Sequence, residues 1–253
     1  MWQSYGEWSF ALQDYVDMNL MGWLNLPRFT DLLSMIDPLI YNEALAKIPK
    51  YVIVASGDEF FMPDAAQYYW PELSDPKFLR VVPNAEHSLA GHIVNVLGGV
   101  EQFYLALLNN NNDLLPTYRW EISEDGATIT VITENTENLS EVRAWFSRNN
   151  TARDWRLLTC PEVRCANPVF FDSVVLSPIS PGVYTYTLEF PPAGEYSSFF
   201  LELNYDFGFE MRERKQMQIT SDMSIIPKTY PFAPCPDDVC RCGYNCARSY
   251  YLP

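Results

Sequence analysis

Two patterns of apolar residues divide this chain, and the change between them falls near Asn109. Upstream, apolar residues recur at helical spacing or in short solid runs. Between Trp8 and Trp23, the residues Leu12, Tyr15, Val16, Leu20 and Trp23 fall near a 3.6-residue period, which predicts a helix. Asp37-Pro38 sets an N-cap acid before a proline at the first helical position and predicts a second helix over Leu39–Ile48. Tyr51-Val-Ile-Val-Ala55 reads as a strand. Pro63-Asp64 then opens a short helix through Trp70, with Asp64 as its N-cap, and Phe78-Leu-Arg-Val-Val82 reads as the next strand. From His92 to Leu108, Ile93, Val96, Leu97, Val100, Phe103, Tyr104 and Leu107 mark one face of a long helix. Gly98 and Gly99 inside it each cost about 1 kcal/mol against alanine.

Strand, helix, strand, helix is the order of a parallel sheet with right-handed crossovers. Two such strands do not make a sheet, because they are apolar on both faces and would leave an edge unpaired. Residues 1–112 therefore read as the end of a larger sheet. Past Asn109-Asn-Asn-Asn112 the period falls to two, as in Thr128-Ile-Thr-Val-Ile-Thr133 and Tyr184-Thr-Tyr-Thr-Leu188. Strands are predicted near 117–123, 127–133, 141–148, 168–176, 183–190, 197–205 and 215–220. Seven short strands with turn residues between them suggest an all-β, immunoglobulin-like sandwich over residues 113–228. Residues 229–253, rich in proline and cysteine, read as a loop-like tail held by cross-links.

The chemistry sits at the two strand ends of the first part. Asp58 follows the first strand through Ser56-Gly57, and His87 follows the second through Pro83-Asn-Ala-Glu. In a parallel sheet both loops reach the same rim, where such folds place their sites. An imidazole that takes a proton from a nucleophile needs a carboxylate to hold its tautomer. Asp58 and His87 are therefore the candidate catalytic residues, as acid and base of a triad. The bland alternative makes Asp58 a turn cap and His87 a solvated loop residue. Asp64 is a competing acid, and His92, at a helix start, is read as structural. Glu59 and Glu86 adjoin the pair, either as charges acting on the imidazole or as surface groups, while Phe60 and Phe61 could wall a substrate pocket.

No G-x-S-x-G turn occurs in the chain. Ser4, Ser9, Ser34, Ser56 and Ser88 lack the small residues on either side that expose a nucleophilic hydroxyl. Ser88 adjoins the histidine and is badly placed to use it as a base. The acid and base of a hydrolase are thus present without an evident nucleophile.

Composition narrows the setting. The formal charge of −15 repels phosphate backbones and anionic lipid, which argues against nucleic-acid and membrane partners. No apolar run reaches the length of a membrane helix, and the first residues lack the pattern of a signal peptide. The six cysteines, Cys160, Cys165, Cys235, Cys240, Cys242 and Cys246, and two N-x-S/T sequons, at Asn138 and Asn149, point instead to an oxidising, secretory route. Cys160–Cys165 reads as a local disulfide. The last four cysteines could hold zinc, but lack the paired C-x2-C knuckles of common zinc modules and read better as disulfides of open connectivity. No cofactor or metal site is expected.

The segments Tyr5-Gly-Glu-Trp-Ser-Phe-Ala11, Ile36-Asp-Pro-Leu39, Gly57-Asp-Glu-Phe-Phe-Met-Pro-Asp64 and Val82-Pro-Asn-Ala-Glu-His-Ser-Leu89 resemble the PhoPQ-activated pathogenicity-related protein family. That group includes the eukaryotic autocrine proliferation repressor A-like proteins, which act as secreted signals. The resemblance implies an α/β-hydrolase fold, with Asp58 at the acid position and His87 at the histidine position. The chain would be the C-terminal part, its sheet core and nucleophile turn lying upstream of Met1. The expected architecture is then α/β, the end of a hydrolase-like sheet followed by the β-sandwich. The expected partners are a peptide or ester substrate or, for a non-enzymatic ligand, a cell-surface receptor. A third possibility is a truncated product with little function of its own.

Overall fold

A computed structural model of the chain describes residues 1–18, 20–24, 26–109, 112–134, 136–161, 165–209 and 216–234. It mixes helix and sheet, with one parallel pair of strands and two antiparallel sheets. The first part runs α1 (Trp2–Tyr5), α2 (Gln13–Asp17), α3 (Pro27–Ile36), α4 (Asn42–Leu45), β1 (Lys50–Ala55), α5 (Ala66–Tyr69), β2 (Lys77–Val82) and α6 (Ile93–Leu108). The strands β1 and β2 are parallel, with Val54 opposite Val81 and Ala55 opposite Val82.

The helix expected over Trp8–Trp23 is instead three short pieces, a 3-10 turn at Phe10–Leu12, then α2, then a 3-10 turn at Met21–Trp23. Its apolar stripe finds little to pack against, since Tyr15 and Trp23 are exposed. Short helices without a packed face are marginal. Asp37 does cap with Pro38 behind it, accepting from the Leu39 amide at 2.9 Å, but it starts a 3-10 turn that runs into the single turn of α4. Asp64 is not an N-cap. Helix α5 begins at Ala66 with no side-chain cap, and the Asp64 carboxylate is drawn 2.5 Å from Arg153 Nη2, both side chains buried. A buried guanidinium outcompetes free amide groups for a carboxylate, because an unpaired charge there would be costly.

Among the described residues the second part holds eight strands: β3 (Tyr118–Ile122), β4 (Thr128–Thr133), β5 (Leu139–Asn149), β6 (Asp172–Val175), β7 (Val183–Thr187), β8 (Tyr196–Tyr205), β9 (Met217–Thr220) and β10 (Ser224–Ile226). One sheet has the order β10-β8-β5-β6 with β9 also on β8, and the other has the order β3-β4-β7. Ile129 and Val131 of one sheet share a core with Val142, Ala144, Phe199, Leu201 and Leu203 of the other. The same core takes in Phe78 of β2 and Ala106 of α6. The asparagine tract thus marks a change of element type but no break in the packing. Cys160 and Cys165 are disulfide-bonded. The other four cysteines lie outside the described residues.

The parallel pair is covered unevenly. On β2, Leu79 and Val81 send their amides to Tyr118 Oη (2.9 Å) and Thr220 Oγ1 (3.0 Å), so side chains of the second part cap that edge. Helix α6 covers one face, with Phe103 against Tyr51 and Phe78. Gly99 permits the close approach. A Cβ there would lie 2.9 Å from Arg80 Nη1 and 3.2 Å from Tyr51 Oη. Leu79 to Val82 of β2 are all buried, whereas Tyr51 to Val54 of β1 are only half-buried. The outer side of α6 is apolar too, with Ile93, Leu97, Val100, Tyr104 and Leu108 exposed at helical spacing. A helix apolar all round belongs in an interior.

Candidate functional site

The site is built where β1 and β2 end on one rim. The loops are stitched as they leave the strands. Ser56 donates its amide to Val82 O at 2.9 Å, Gly57 donates to Ala85 O at 2.9 Å, and the Asn84 amide donates to Ser56 Oγ at 2.9 Å. Only glycine fits at 57, because a Cβ would meet Leu157 Cγ at 2.5 Å and Ala85 O at 3.0 Å. Asn84 stands in the left-handed region (φ 58°), which asparagine tolerates better than most residues. Its side chain clasps the backbone of Phe171, accepting from the amide at 2.6 Å and donating to the carbonyl at 3.0 Å. His92 Nε2 lies 3.1 Å from Asn84 O, so this second histidine braces the loop from the far side.

These constraints deliver Asp58 and His87 to each other. His87 Nδ1 lies 3.0 Å from both carboxylate oxygens of Asp58. Asp58 is 5% exposed, and its Oδ1 also accepts the amides of Phe60 (2.7 Å) and Phe61 (3.0 Å), so it cannot swing away. The imidazole is 42% exposed, with its ring 4.4 Å from Phe60 and 5.8 Å from Phe61. A ring held through Nδ1 presents Nε2 outward, the orientation a general base needs.

The neighbouring acids play different parts. Glu59 is buried, and burial pushes its carboxyl up from the ordinary range. Its Oε2 accepts the His87 backbone amide at 3.0 Å, so it holds the histidine loop, a role its position in sequence does not announce. Glu86 is pulled down. Partial burial acts against this, but the Ser88 hydroxyl and the amides of Ser88 and Ala90 outweigh it. The serines weighed as nucleophiles are engaged elsewhere. Ser88 Oγ donates to Glu86, Ser56 Oγ accepts from Asn84, Ser4 Oγ accepts from Arg153, and Ser34 Oγ donates to Asp31 O. Ser9 Oγ accepts from the Ala11 amide. Among the described residues no hydroxyl is hydrogen-bonded to the His87 ring, and no group of three or more metal-ligating side chains gathers.

Sequence reasoning missed the girder beneath the site. Arg153, Trp155 and Arg156 are buried. Arg153 joins Asp64 and Ser4, while Arg156 is paired with Asp154 at 2.7 Å and lies 3.9 Å from the ring of Tyr5. The segment Tyr5-Gly-Glu-Trp is therefore a clasp, tying the start of the chain to the loop that supports Gly57. Contacts so distant in sequence leave no periodic signal, although a run of arginines and acids amid apolar text is a hint.

The profile of the PhoPQ-activated pathogenicity-related protein family matches residues 1–156, a stretch that holds the clasp, both loops and the arginine girder. The chain belongs to this family. It is 37% identical over 243 residues to the autocrine proliferation repressor protein A of Dictyostelium discoideum, covering 92% of this chain and 48% of that protein. The chain thus spans about half the length of this curated relative.

Proposed function

We propose that this chain carries the acid–base half of a serine-hydrolase-like site in a secreted member of the family, and that the nucleophile comes from a hydrolase-type parallel sheet adding at β1. The single observation that carries this reading is the Asp58–His87 contact of 3.0 Å on the common rim of two parallel strands. In the reaction, His87 Nε2 takes the proton of a serine hydroxyl as its oxygen bonds the substrate carbonyl. It then gives that proton to the leaving group, and Asp58 holds Nδ1–H throughout. A water, activated by the same ring, releases the acyl group. The substrate class is a peptide or an ester.

Two observations support a sheet that continues past β1: that strand is half-buried where β2 is buried, and α6 shows an apolar stripe to solvent. The two antiparallel sheets sharing one core support an immunoglobulin-like accessory module. The Cys160–Cys165 disulfide and the relative's name support an extracellular setting. Among the described residues no helix is long and apolar enough to cross a membrane. Of the two sequons, Asn138 is partly exposed. Asn149 is 3% exposed, and its amide is committed to Asp154 O at 2.6 Å, so Asn138 is the acceptor in this reading.

A fluorophosphonate probe tests the proposal. It should label the full-length protein from its native source and not the 253-residue chain alone. His87→Ala should slow the labelling about 10²- to 10⁴-fold. An unlabelled full-length protein contradicts the enzymatic reading, and stoichiometric labelling of the chain alone contradicts a nucleophile from elsewhere. The relative's name favours a second reading, a non-enzymatic extracellular signal. Repression of proliferation that survives His87→Ala would select it.

A further inference from the structure

We infer that the cavity between the β1–β2 sheet and helix α5 is a binding pocket for a compact, uncharged apolar group carried next to the carbonyl of a substrate. This rests on the hydrolase reading above and names what that site would accept. The cavity measures about 210 Å³ and has Val54 and Leu79 on the strands, with Phe61, Met62, Ala66 and Tyr69 on the loop and helix opposite. The register of β1 and β2 puts Val54 and Leu79 on one face of the sheet, the face turned away from Tyr51, Phe78 and α6.

The link to the catalytic pair is Phe61. Its amide holds Asp58 at 3.0 Å, its ring lies 5.8 Å from the His87 ring, and the same exposed ring forms a wall of the cavity. One aromatic ring thus separates the imidazole from the pocket. The opening lies beside the reactive ring and is walled almost wholly by apolar side chains. An apolar cavity of about 150 Å³ suffices for benzene, so this one has room for a phenyl ring or a short alkyl chain.

One acid reaches the wall. Asp222 is 4% exposed, and its Oδ1 accepts the Met223 amide at 2.8 Å. Burial pushes Asp222 up to about 7, and burial, with Asp222 adding to it, pushes Tyr69 up to about 12. The rest of the lining is apolar or aromatic and offers a charged group no counter-charge, which sets the class of occupant as neutral. A phenylalanine-like side chain of a peptide and the acyl chain of an ester share this chemistry.

The test is a titration of the 253-residue chain, methyl-labelled at methionine, following the Met62 methyl resonance assigned through Met62→Leu. The probes are N-acetylphenylalaninamide, methyl hexanoate and, as a charged control, benzylammonium. A neutral probe should shift the resonance saturably. Its affinity should fall at least about tenfold in Ala66→Phe, or, if that variant does not fold, in Ala65→Leu, whose side chain also lines the cavity, and should be unchanged in Leu97→Ser on the outer side of α6. Tighter binding of the amide assigns a peptide source, and tighter binding of the ester an acyl source. No saturable shift with either neutral probe, tighter binding of benzylammonium, or an affinity indifferent to filling the cavity would overturn the pocket. Lost binding with fluorophosphonate labelling intact removes the pocket alone. Binding without labelling of the full-length protein removes the enzyme reading alone.

Discussion

Strands β1 and β8 make an instructive pair. The first, Lys50–Ala55, is almost wholly apolar, yet only Ala55 is fully buried. The second, Tyr196–Tyr205, carries two serines, a glutamate and an asparagine, yet all ten residues are buried. Burial here follows neighbours, not composition. Strand β8 has β5, β9 and β10 beside it and the β3-β4-β7 sheet across a shared core, whereas among the described residues β1 has β2 on one side only. Its polar residues are the cost of a central position, and Glu202 is pushed up by burial. The converse holds for β1 and the outer face of α6, where apolar side chains meet water for want of a partner.

The comparison can be broken at its buried end first. Phe199→Ala empties a fully buried site in the shared core and should cost about 3–5 kcal/mol in denaturant unfolding. A loss below about 1 kcal/mol would mean that this core is not the one that holds the molecule.

Asp222 sits at the seam between the two halves, beside Asp64, Arg153, Tyr69 and Lys228. Its folded-state value, raised from 3.8 to about 7, means that the folded protein keeps a proton the unfolded chain would release. Its stabilisation is full below about pH 4 and fades as pH rises through 7, by roughly 4 kcal/mol in total. In Asp222→Asn that component of the pH dependence of unfolding should vanish. An unchanged profile would show that the carboxyl is hydrated.

Smaller effects sharpen the contrast on α6. Gly99→Ala, on its inner side, pushes a methyl toward Arg80 and Tyr51 and should destabilise by about 1–3 kcal/mol despite the better helix propensity of alanine. Leu97→Ser, on the outer side, should change the stability of this chain by about 0.5 kcal/mol or less. In a chain that carries the proposed continuing sheet, the same change should cost several times more, because the stripe would there be covered. Equal small losses in both contexts would remove the argument for a continuing sheet.

What could be read from the chain follows physical range. The two-residue alternation of β4 and β7, the apolar runs of β1 and β2, and the long period of α6 all sit in contiguous text. The placement of Asp58 and His87 followed from the strand ends, since parallel strands return their loops to one rim. Asp64 misled because its local position suits a cap, while its partner Arg153 lies 89 residues away. Trp8–Trp23 misled because periodicity reports a face without reporting what covers it. Strand β10 is only three residues long, and its Ser224-Ile-Ile226 has no period to detect. The loop-holding roles of Glu59 and Asn84 depend on backbone contacts that no side-chain pattern encodes.

The tautomer of His87 tests the centre of this account most directly. In 15N-labelled protein, at a pH where the ring is neutral, the account predicts the proton on Nδ1 and a bare Nε2, with that preference lost in Asp58→Asn. A ring protonated on Nε2, or one indifferent to Asp58→Asn, would contradict it.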